Sequence, residues 1–266
     1  MAGAYDLPPD TPGFAEAQAE MAERSRPAAA LPGAAFDIAY GSHSRQRLDI
    51  FPAGKDAPAL LFLRGGYWKL GEKEDRWFPA IEWQPRGVAW IVPNYRLAPE
   101  FTLPEIVDDA RAVLEWVVAN GAGYGIDATR IHLVGNSAGA HLAAMIATGP
   151  ITRNIRSLTL ISGLYDLVPL LDEDPNTWLE MDPETARSMS PCLHLPAPNL
   201  PVSVCCGGAE TPAFVRQSRD FAEVLRRNGN SVDYFESPGK NHMAVIGECG
   251  TTGTPVFEAM TRHLSQ

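Results

Sequence analysis

The pentapeptide Gly135–Gly139, with the sequence Gly-Asn-Ser-Ala-Gly, constrains the fold of this chain more than any other stretch. The largely apolar run Ile131–Val134 leads into it as a short strand, and Ala138–Thr148 has a composition that suits a helix. The pattern therefore predicts a strand, a sharp turn and a helix, with Ser137 at the apex. Glycine is favoured on both sides because such a turn leaves no room for a Cβ atom there. An ordinary strand-to-helix turn has the same pattern, so the interpretation depends on partners elsewhere.

Segments typical of strands and helices alternate along the rest of the chain. Seven further strands are predicted at Phe36–Tyr40, Gln46–Phe51, Ala59–Leu63, Val88–Val92, Ser157–Ile161, Val202–Cys206 and Val232–Glu236. Amphipathic helices are predicted at Ile106–Val117, after Phe214, and at Pro255–Leu264. This alternation predicts an α/β protein with a mostly parallel sheet of about eight strands and helices on both faces. The first two strands are expected to form an antiparallel pair, and sites are expected at the carboxyl ends of the strands.

The 266 residues suffice for one α/β domain with a full hydrophobic core. We expect an N-terminal arm at 1–35 that packs on the domain. The domain itself is expected at 36–266, with a proline-rich, cap-like insertion at about 166–199 that interrupts the strand rhythm. The four cysteines show no CxxC spacing, so we expect neither a zinc site nor a disulfide framework.

Composition narrows the possible partners and location. The formal net charge of −10 argues against a broad surface for nucleic acid or an anionic membrane. No run of about twenty apolar residues predicts a membrane span, and Met1–Pro12 shows no signal-peptide pattern. We therefore expect a cytoplasmic protein whose partner is a small molecule, with a homodimer left open.

A serine hydroxyl needs a base, and the base needs a carboxylate that holds its tautomer. Of six histidines, His242 lies in the loop after the last predicted strand, where it can reach the serine turn. His141, one helical turn beyond Ser137, is the least secure of the five histidines that we assign to packing or to the surface. For the acid, Glu210 follows the strand Val202–Cys206, and Asp166 is the competitor after the preceding strand. The alternative role for Glu210 is a cap on the following helix.

Acyl transfer also needs donors for the oxyanion of the tetrahedral intermediate. The amide of Ala138, directly after the serine, is one candidate. Gly65 and Gly66 follow the buried strand Ala59–Leu63 and can supply further amides, because glycine lets the backbone approach a substrate closely. A simple glycine turn is the alternative.

Five segments resemble the arylformamidase (kynurenine formamidase) branch of the α/β-hydrolases, close to the hormone-sensitive-lipase-like esterases: Arg64–Trp68, Asn94–Glu100, Gly135–Leu142, Ser162–Leu167 and Gly239–His242. The resemblance spans roughly residues 36–264. It implies a serine hydrolase without cofactor or metal, in which Ser137, Glu210 and His242 occupy the triad positions. It likewise implies that Gly65, Gly66 and Ala138 occupy the oxyanion positions.

Arg64 departs from this resemblance, because the family pattern has histidine before the two glycines. A guanidinium can brace the glycine loop or add a positive charge to the pocket, and it can instead pair with Glu72, Glu74 or Asp75. We favour bracing slightly and keep all three interpretations.

The expected reaction is cleavage of a small acyl group. Arg64, Tyr67, Trp68 and Tyr165 are taken as substrate-pocket residues, and the three aromatic side chains suit an aromatic leaving group. The favoured substrate is therefore an aryl formamide such as N-formylkynurenine, and a small carboxylic ester is the second candidate. A catalytically inactive ligand-binding protein on the same scaffold is the alternative from another class.

Overall fold

The computed structural model describes residues 3–7, 11, 13–148 and 150–265. Within this part the chain forms one eight-stranded sheet: β1 Ala35–Ala39, β2 Arg47–Phe51, β3 Ala57–Leu63, β4 Ala89–Pro93, β5 Ile126–Asn136, β6 Ile155–Ile161, β7 Pro201–Gly207 and β8 Ser231–Ser237. Of residues 1–12, to which the expectation of no signal peptide applies, half lie outside the described residues.

The sheet has the strand order β1-β2-β4-β3-β5-β6-β7-β8. The strand β2 pairs antiparallel with both β1 and β4, and every pair from β4 to β8 is parallel. The predicted α/β class, the number of strands and the antiparallel first pair are confirmed. Because β5 lies in the middle of the sheet, the serine turn at its carboxyl end lies among the loops after β3, β6 and β7.

Eight α-helices are described beside the sheet: α1 Phe14–Ser25, α2 Ala80–Trp83, α3 Leu103–Asn120, α4 Ala138–Ile146, α5 Asn176–Leu179, α6 Pro183–Ser188, α7 Pro212–Arg227 and α8 Pro255–Leu264. The helix α3 begins with a capping box, in which Glu105 accepts from the backbone amide of Thr102. Among the described residues, no helix combines the length and the apolar character that a membrane crossing requires.

The core lies on both faces of the sheet, as the alternation along β3 shows. All seven β3 residues are buried, Leu61 and Leu63 in one apolar cluster and Leu60 and Phe62 in the other. The first cluster includes buried residues of α3, α4 and α7, and the second includes those of α1, α2 and α8. A strand buried on both faces reads as a continuous apolar run, which explains why β3 was visible in the sequence.

A buried lysine fixes the segment that follows the glycine loop. Lys73 Nζ lies 3.0 Å from Asp49 Oδ2 on β2, 2.9 Å from Asp37 Oδ1 on β1 and 2.6 Å from Glu74 Oε1. Both Lys73 and Asp49 are buried. The three carboxylates compensate the charge of Lys73, and Lys73 compensates the charge of Asp49. The segment is thereby held against the first two strands.

The stretch between β6 and β7 contains α5 and α6 joined by short turns and 3₁₀ segments. On the N-terminal side, α1 contributes the buried Met21 to the second apolar cluster. The division into an arm at 1–35, a domain at 36–266 and a cap-like insertion at 166–199 stays a prediction.

Candidate active site

Ser137 occupies the strained turn between β5 and α4. Its φ and ψ are 53° and −124°, in a region that non-glycine residues rarely adopt, and its side chain is buried, with only 3% of the residue exposed. A Cβ atom at Gly135 would lie 2.3 Å from the Gly139 carbonyl oxygen, and one at Gly139 would lie 1.9 Å from the Leu63 carbonyl oxygen. Both flanking glycines are therefore required by close backbone packing, which is the geometry of a nucleophile elbow.

Glu210 and His242 meet at the carboxyl ends of β7 and β8. Nδ1 of His242 donates to Glu210 Oε2 at 2.6 Å, and His242 is only 5% exposed. The bond to a carboxylate fixes the proton on Nδ1 and leaves Nε2 with the free lone pair of a base. This is the pair that a serine nucleophile needs.

The other oxygen of Glu210 is held by two donors. Ser162 Oγ donates to Oε1 at 2.5 Å, and the amide of Gly207 donates to the same oxygen at 2.6 Å. Burial acts to raise the pKa of the Glu210 carboxyl, but His242 and these donors outweigh burial, so the pKa lies below its ordinary value. Glu210 is therefore an anion at neutral pH. This role of Ser162 was not predicted from the sequence, although a serine at the end of a strand beside the candidate acid is a usable signal.

Asp166 lies elsewhere. Its carboxylate accepts from the amide of Val168 at 3.0 Å, and its backbone groups bond to the side chain of Gln217. Glu210 is also not the cap of α7, because the N-cap position is Thr211. Of the two acids considered, Glu210 is the one in contact with His242.

The glycine loop after β3 lies against the serine. A Cβ atom at Gly65 would lie 2.9 Å from the Ser137 Cβ, and one at Gly66, where φ is +119°, would lie 2.1 Å from the Leu70 carbonyl oxygen. The expectation for Gly65 as an oxyanion donor needs correction, because its amide donates to Asn136 Oδ1 at 3.0 Å. Within the described part of the chain, the amides of Gly66, Tyr67 and Ala138 donate to no protein group. These three amides are available to an oxyanion.

Comparisons with known proteins agree with this geometry. A family model described as BD-FAE matches residues 48–160. The kynurenine formamidase of Salmo salar is 30% identical over 241 residues, which cover 85% of this chain and 80% of that protein. The chain belongs to the arylformamidase branch of the α/β-hydrolases.

Other relatives of this hydrolase bear different names. The isoprenylcysteine alpha-carbonyl methylesterase of Arabidopsis thaliana is 26% identical over 77% of this chain and 55% of its own length. A solved structure from a Silicibacter species, described as a candidate thioesterase, superposes with a TM-score of 0.85 at 28% identity, and 98% of each chain is covered. Amides and esters are thus both among the bonds named for its relatives, and the predicted hydrolase class is confirmed.

Arg64 of this hydrolase is buried, with 1% exposed, and braces the glycine loop. Its Nη1 donates to the Leu70 carbonyl oxygen at 2.6 Å, its Nε donates to Asn94 Oδ1 at 3.0 Å, and its guanidinium lies 4.4 Å from the ring centre of Tyr95. Glu72 bonds instead to Arg45 Nη1 at 2.9 Å and to Asn94 Nδ2 at 2.7 Å. The expectation of Arg64 as a pocket residue is therefore wrong, because its charge faces backbone carbonyls in the interior.

Two of the three aromatic side chains expected at the pocket mouth are also buried elsewhere. Trp68 packs edge-on against His141 with ring centres 4.9 Å apart, and Tyr165 stacks on Phe221 with ring centres 4.1 Å apart. Aromatic residues near strand ends are here core residues, because their apolar area is large. Tyr67 is half-buried, and its hydroxyl donates to the Tyr5 carbonyl oxygen.

Three further histidines are held inside the protein. His132 bonds to Ser157 Oγ at 2.8 Å, His263 to Ser203 Oγ at 2.9 Å and His141 to the Met189 carbonyl oxygen at 2.8 Å. Burial lowers the pKa of each imidazole to about 4, so all three are neutral at pH 7. His141 is thus part of the packing under α4.

Proposed function

We propose that the chain is a serine hydrolase in which Ser137 is the nucleophile, His242 the general base and acid, and Glu210 the residue that orients His242. His242 Nε2 takes the Ser137 proton as Oγ attacks an acyl carbonyl, and the tetrahedral oxyanion forms among the amides of Gly66, Tyr67 and Ala138. His242 then returns the proton to the leaving group. Water, activated by His242, releases the acyl group from Ser137.

The observation that carries this proposal is the Nδ1–Oε2 bond of 2.6 Å between His242 and Glu210, at the same edge of the sheet as the strained serine. Structural histidines in this chain bond to neutral groups, a serine hydroxyl or a carbonyl oxygen. His242 instead bonds to a buried carboxylate that two further donors fix. A buried carboxylate stabilises the imidazolium that forms during acyl transfer, and the packing of the fold does not require one.

The proposed substrate is an aryl formamide of the N-formylkynurenine type. The name of the Salmo salar relative supports this choice. A small carboxylic ester is the second candidate, which the name of the Arabidopsis methylesterase supports.

A substrate panel tests both parts of the proposal. Purified protein is assayed on N-formylkynurenine and a neutral aryl formamide, on p-nitrophenyl acetate and on an acetyl thioester. We expect the highest kcat/KM for the formamides, and a higher value for the ester would transfer the proposal to the esterase candidate. Ser137→Ala should lose about 10⁶-fold in kcat on every substrate, with an unchanged unfolding temperature. Retention of more than a few per cent of activity would exclude Ser137 as the nucleophile.

Covalent labelling separates an enzyme from an inactive binding protein. A serine-reactive phosphonate should add one mass equivalent to the wild-type protein and none to Ser137→Ala, because only an activated serine reacts quickly. An unlabelled wild-type protein would favour the ligand-binding alternative.

A cytoplasmic location is part of the proposal. All four cysteines are free thiols, which suits a reducing compartment. Cell fractionation with an antibody against the protein tests it, and recovery with secreted proteins would contradict it.

A further inference from the structure

The described residues 3–7 bond to the two loops that flank the candidate site, the glycine loop after β3 and the loop after β7. Tyr5 is only 5% exposed and belongs to the larger apolar cluster.

The backbone of this segment accepts a hydrogen bond from each of these two loops. In the glycine loop, the hydroxyl of Tyr67, the residue directly after Gly66, donates to the Tyr5 carbonyl oxygen. In the loop after β7, Thr211 Oγ1, next to Glu210 in the chain, donates to the Ala4 carbonyl oxygen at 3.1 Å. The segment thus spans from the oxyanion loop to the acid loop.

The ring of Tyr5 points to the His242 side. Its centre lies 5.9 Å from that of Phe214 in an edge-on arrangement, and Phe214 in turn lies 4.4 Å from the His242 ring. Gln217 Nε2 donates to the Tyr5 hydroxyl at 3.0 Å, while Gln217 Oε1 accepts from the amide of Tyr165 at 2.9 Å. The ring is therefore fixed in orientation by α7 and by the loop after β6.

Tyr5 also separates two cavities. One has a volume of about 260 Å³ and runs along α7, with Arg216 and Phe221 in its wall. The other has a volume of about 290 Å³ and lies over Tyr67 and Trp178. Tyr5 belongs to the walls of both cavities, and Tyr67, the residue directly after Gly66, belongs to the wall of the second. The size of the Tyr5 side chain therefore sets how much free space lies beside Tyr67.

We infer that Tyr5 is a specificity-determining residue that limits the size of the leaving group. The inference rests on the proposed function, because His242 protonates the leaving group, which must therefore lie on the His242 side of the scissile bond. Tyr5 lies on that side, because its ring packs on Phe214, which in turn packs on His242. The acyl group lies on the other side of the carbonyl carbon, so Tyr5 should select leaving groups and not acyl groups.

Two substrate series test this assignment. In the first, the acetyl group is constant and the leaving group changes from phenol to 2-naphthol. In the second, the p-nitrophenol leaving group is constant and the acyl group changes from acetyl to butyryl. Tyr5→Ala should shift the kcat/KM ratio of 2-naphthyl to phenyl acetate upward by about tenfold or more, which is the size of effect that one added hydrophobic group gives in a pocket. The butyryl-to-acetyl ratio should stay within roughly threefold of the wild-type ratio.

Matched variants distinguish the effect of the Tyr5 ring from the effect of its hydroxyl and from a general effect of losing a tyrosine. Tyr5→Phe keeps the ring and should keep the wild-type leaving-group ratio. Tyr124→Ala removes a remote tyrosine that packs on Trp116 and should leave both ratios unchanged. If Tyr5→Ala does not fold, Tyr5→Trp serves instead, and it should lower the naphthyl-to-phenyl ratio.

The outcomes distinguish this inference from the proposed function. An unchanged leaving-group ratio in Tyr5→Ala, or a change confined to the acyl series, overturns the inference. If Ser137→Ala retains more than a few per cent of the wild-type activity on phenyl acetate, the proposed function fails, whatever Tyr5→Ala does.

Discussion

Replacement of Arg64 by methionine tests how the oxyanion loop is held. The substitution removes the donor to the Leu70 carbonyl oxygen, whereas Asn94 Oδ1 still accepts from the Lys73 amide at 3.0 Å. The carbonyl oxygens of Gly65 and Leu70 are then left without this donor, which costs about 1–3 kcal/mol. Loss of the contact with Tyr95 adds about 0.5–2 kcal/mol, and relief of the buried charge offsets part of this cost. We expect a net decrease of about 1–3 kcal/mol in the free energy of unfolding.

The same change should lower kcat on every substrate. Removal of an oxyanion donor costs about 10²–10³ in kcat, so displacement of the loop should cost roughly tenfold. Because Arg64 faces carbonyls and not the cleft, an anionic and a neutral aryl formamide should lose the same factor. Urea unfolding and steady-state kinetics measure both effects. Arg111→Met, at an exposed arginine paired with Asp108, is the control. A rise in KM confined to the anionic substrate would refute the bracing role.

Three further outcomes are expected. Glu210→Gln should lower kcat by roughly 10³–10⁴ with little change in KM. Asp166→Asn should change kcat by less than about fivefold. The reverse ranking in steady-state kinetics would assign the acid role to Asp166. The pKa of Glu210 is depressed in the folded state, so its stabilising effect is present above the unfolded value of about 4.3 and is lost as the pH falls below it. Urea unfolding at several pH values should therefore show a weaker acid dependence for Glu210→Gln, and equal slopes would contradict this. Lys73→Met should reduce the free energy of unfolding by about 3–5 kcal/mol, because buried Asp49 loses its cation. Guanidinium denaturation measures this change. A loss below about 1 kcal/mol would show that groups other than Lys73 compensate the charge of Asp49.

The strands were predictable because most of them are buried on both faces. All five residues of β4 and all seven of β3 are buried, and their apolar runs mark them in the sequence. The strand β5 begins at Ile126, whereas the sequence predicts its start at Ile131. The residues before Ile131 include the exposed Thr129 and Arg130, which interrupt the apolar run. The part of a strand that extends beyond the core has no apolar pattern, so the first residue of such a strand cannot be predicted from apolar residues.

The contact between His242 and Glu210 was predictable from the positions of their loops. His242 and Glu210 follow neighbouring parallel strands, and parallel strands bring their carboxyl ends to one edge. The Gly65 amide is occupied because it donates to the Asn136 side chain, which leaves the Gly66 amide as the available donor. The local sequence does not show the direction of the Asn136 side chain. Arg64 can be buried because its guanidinium donates to the carbonyl oxygen of Leu70, six residues further along the chain. The local sequence does not show this contact either.

Backbone strain links these separate features of the site. Four of the eight described non-glycine residues with positive φ are Tyr67, Trp68, Ser137 and Ser162, and they lie in the three loops after β3, β5 and β6. Each such conformation costs on the order of 1–3 kcal/mol and persists only where the surroundings hold it. Arg64 supplies that hold for the loop after β3, and the Glu210 carboxylate supplies it for Ser162. The charged groups buried around the site therefore stabilise the strained geometry of the proposed nucleophile and of the proposed oxyanion amides, so a variant that relaxes this strain should gain stability and lose activity.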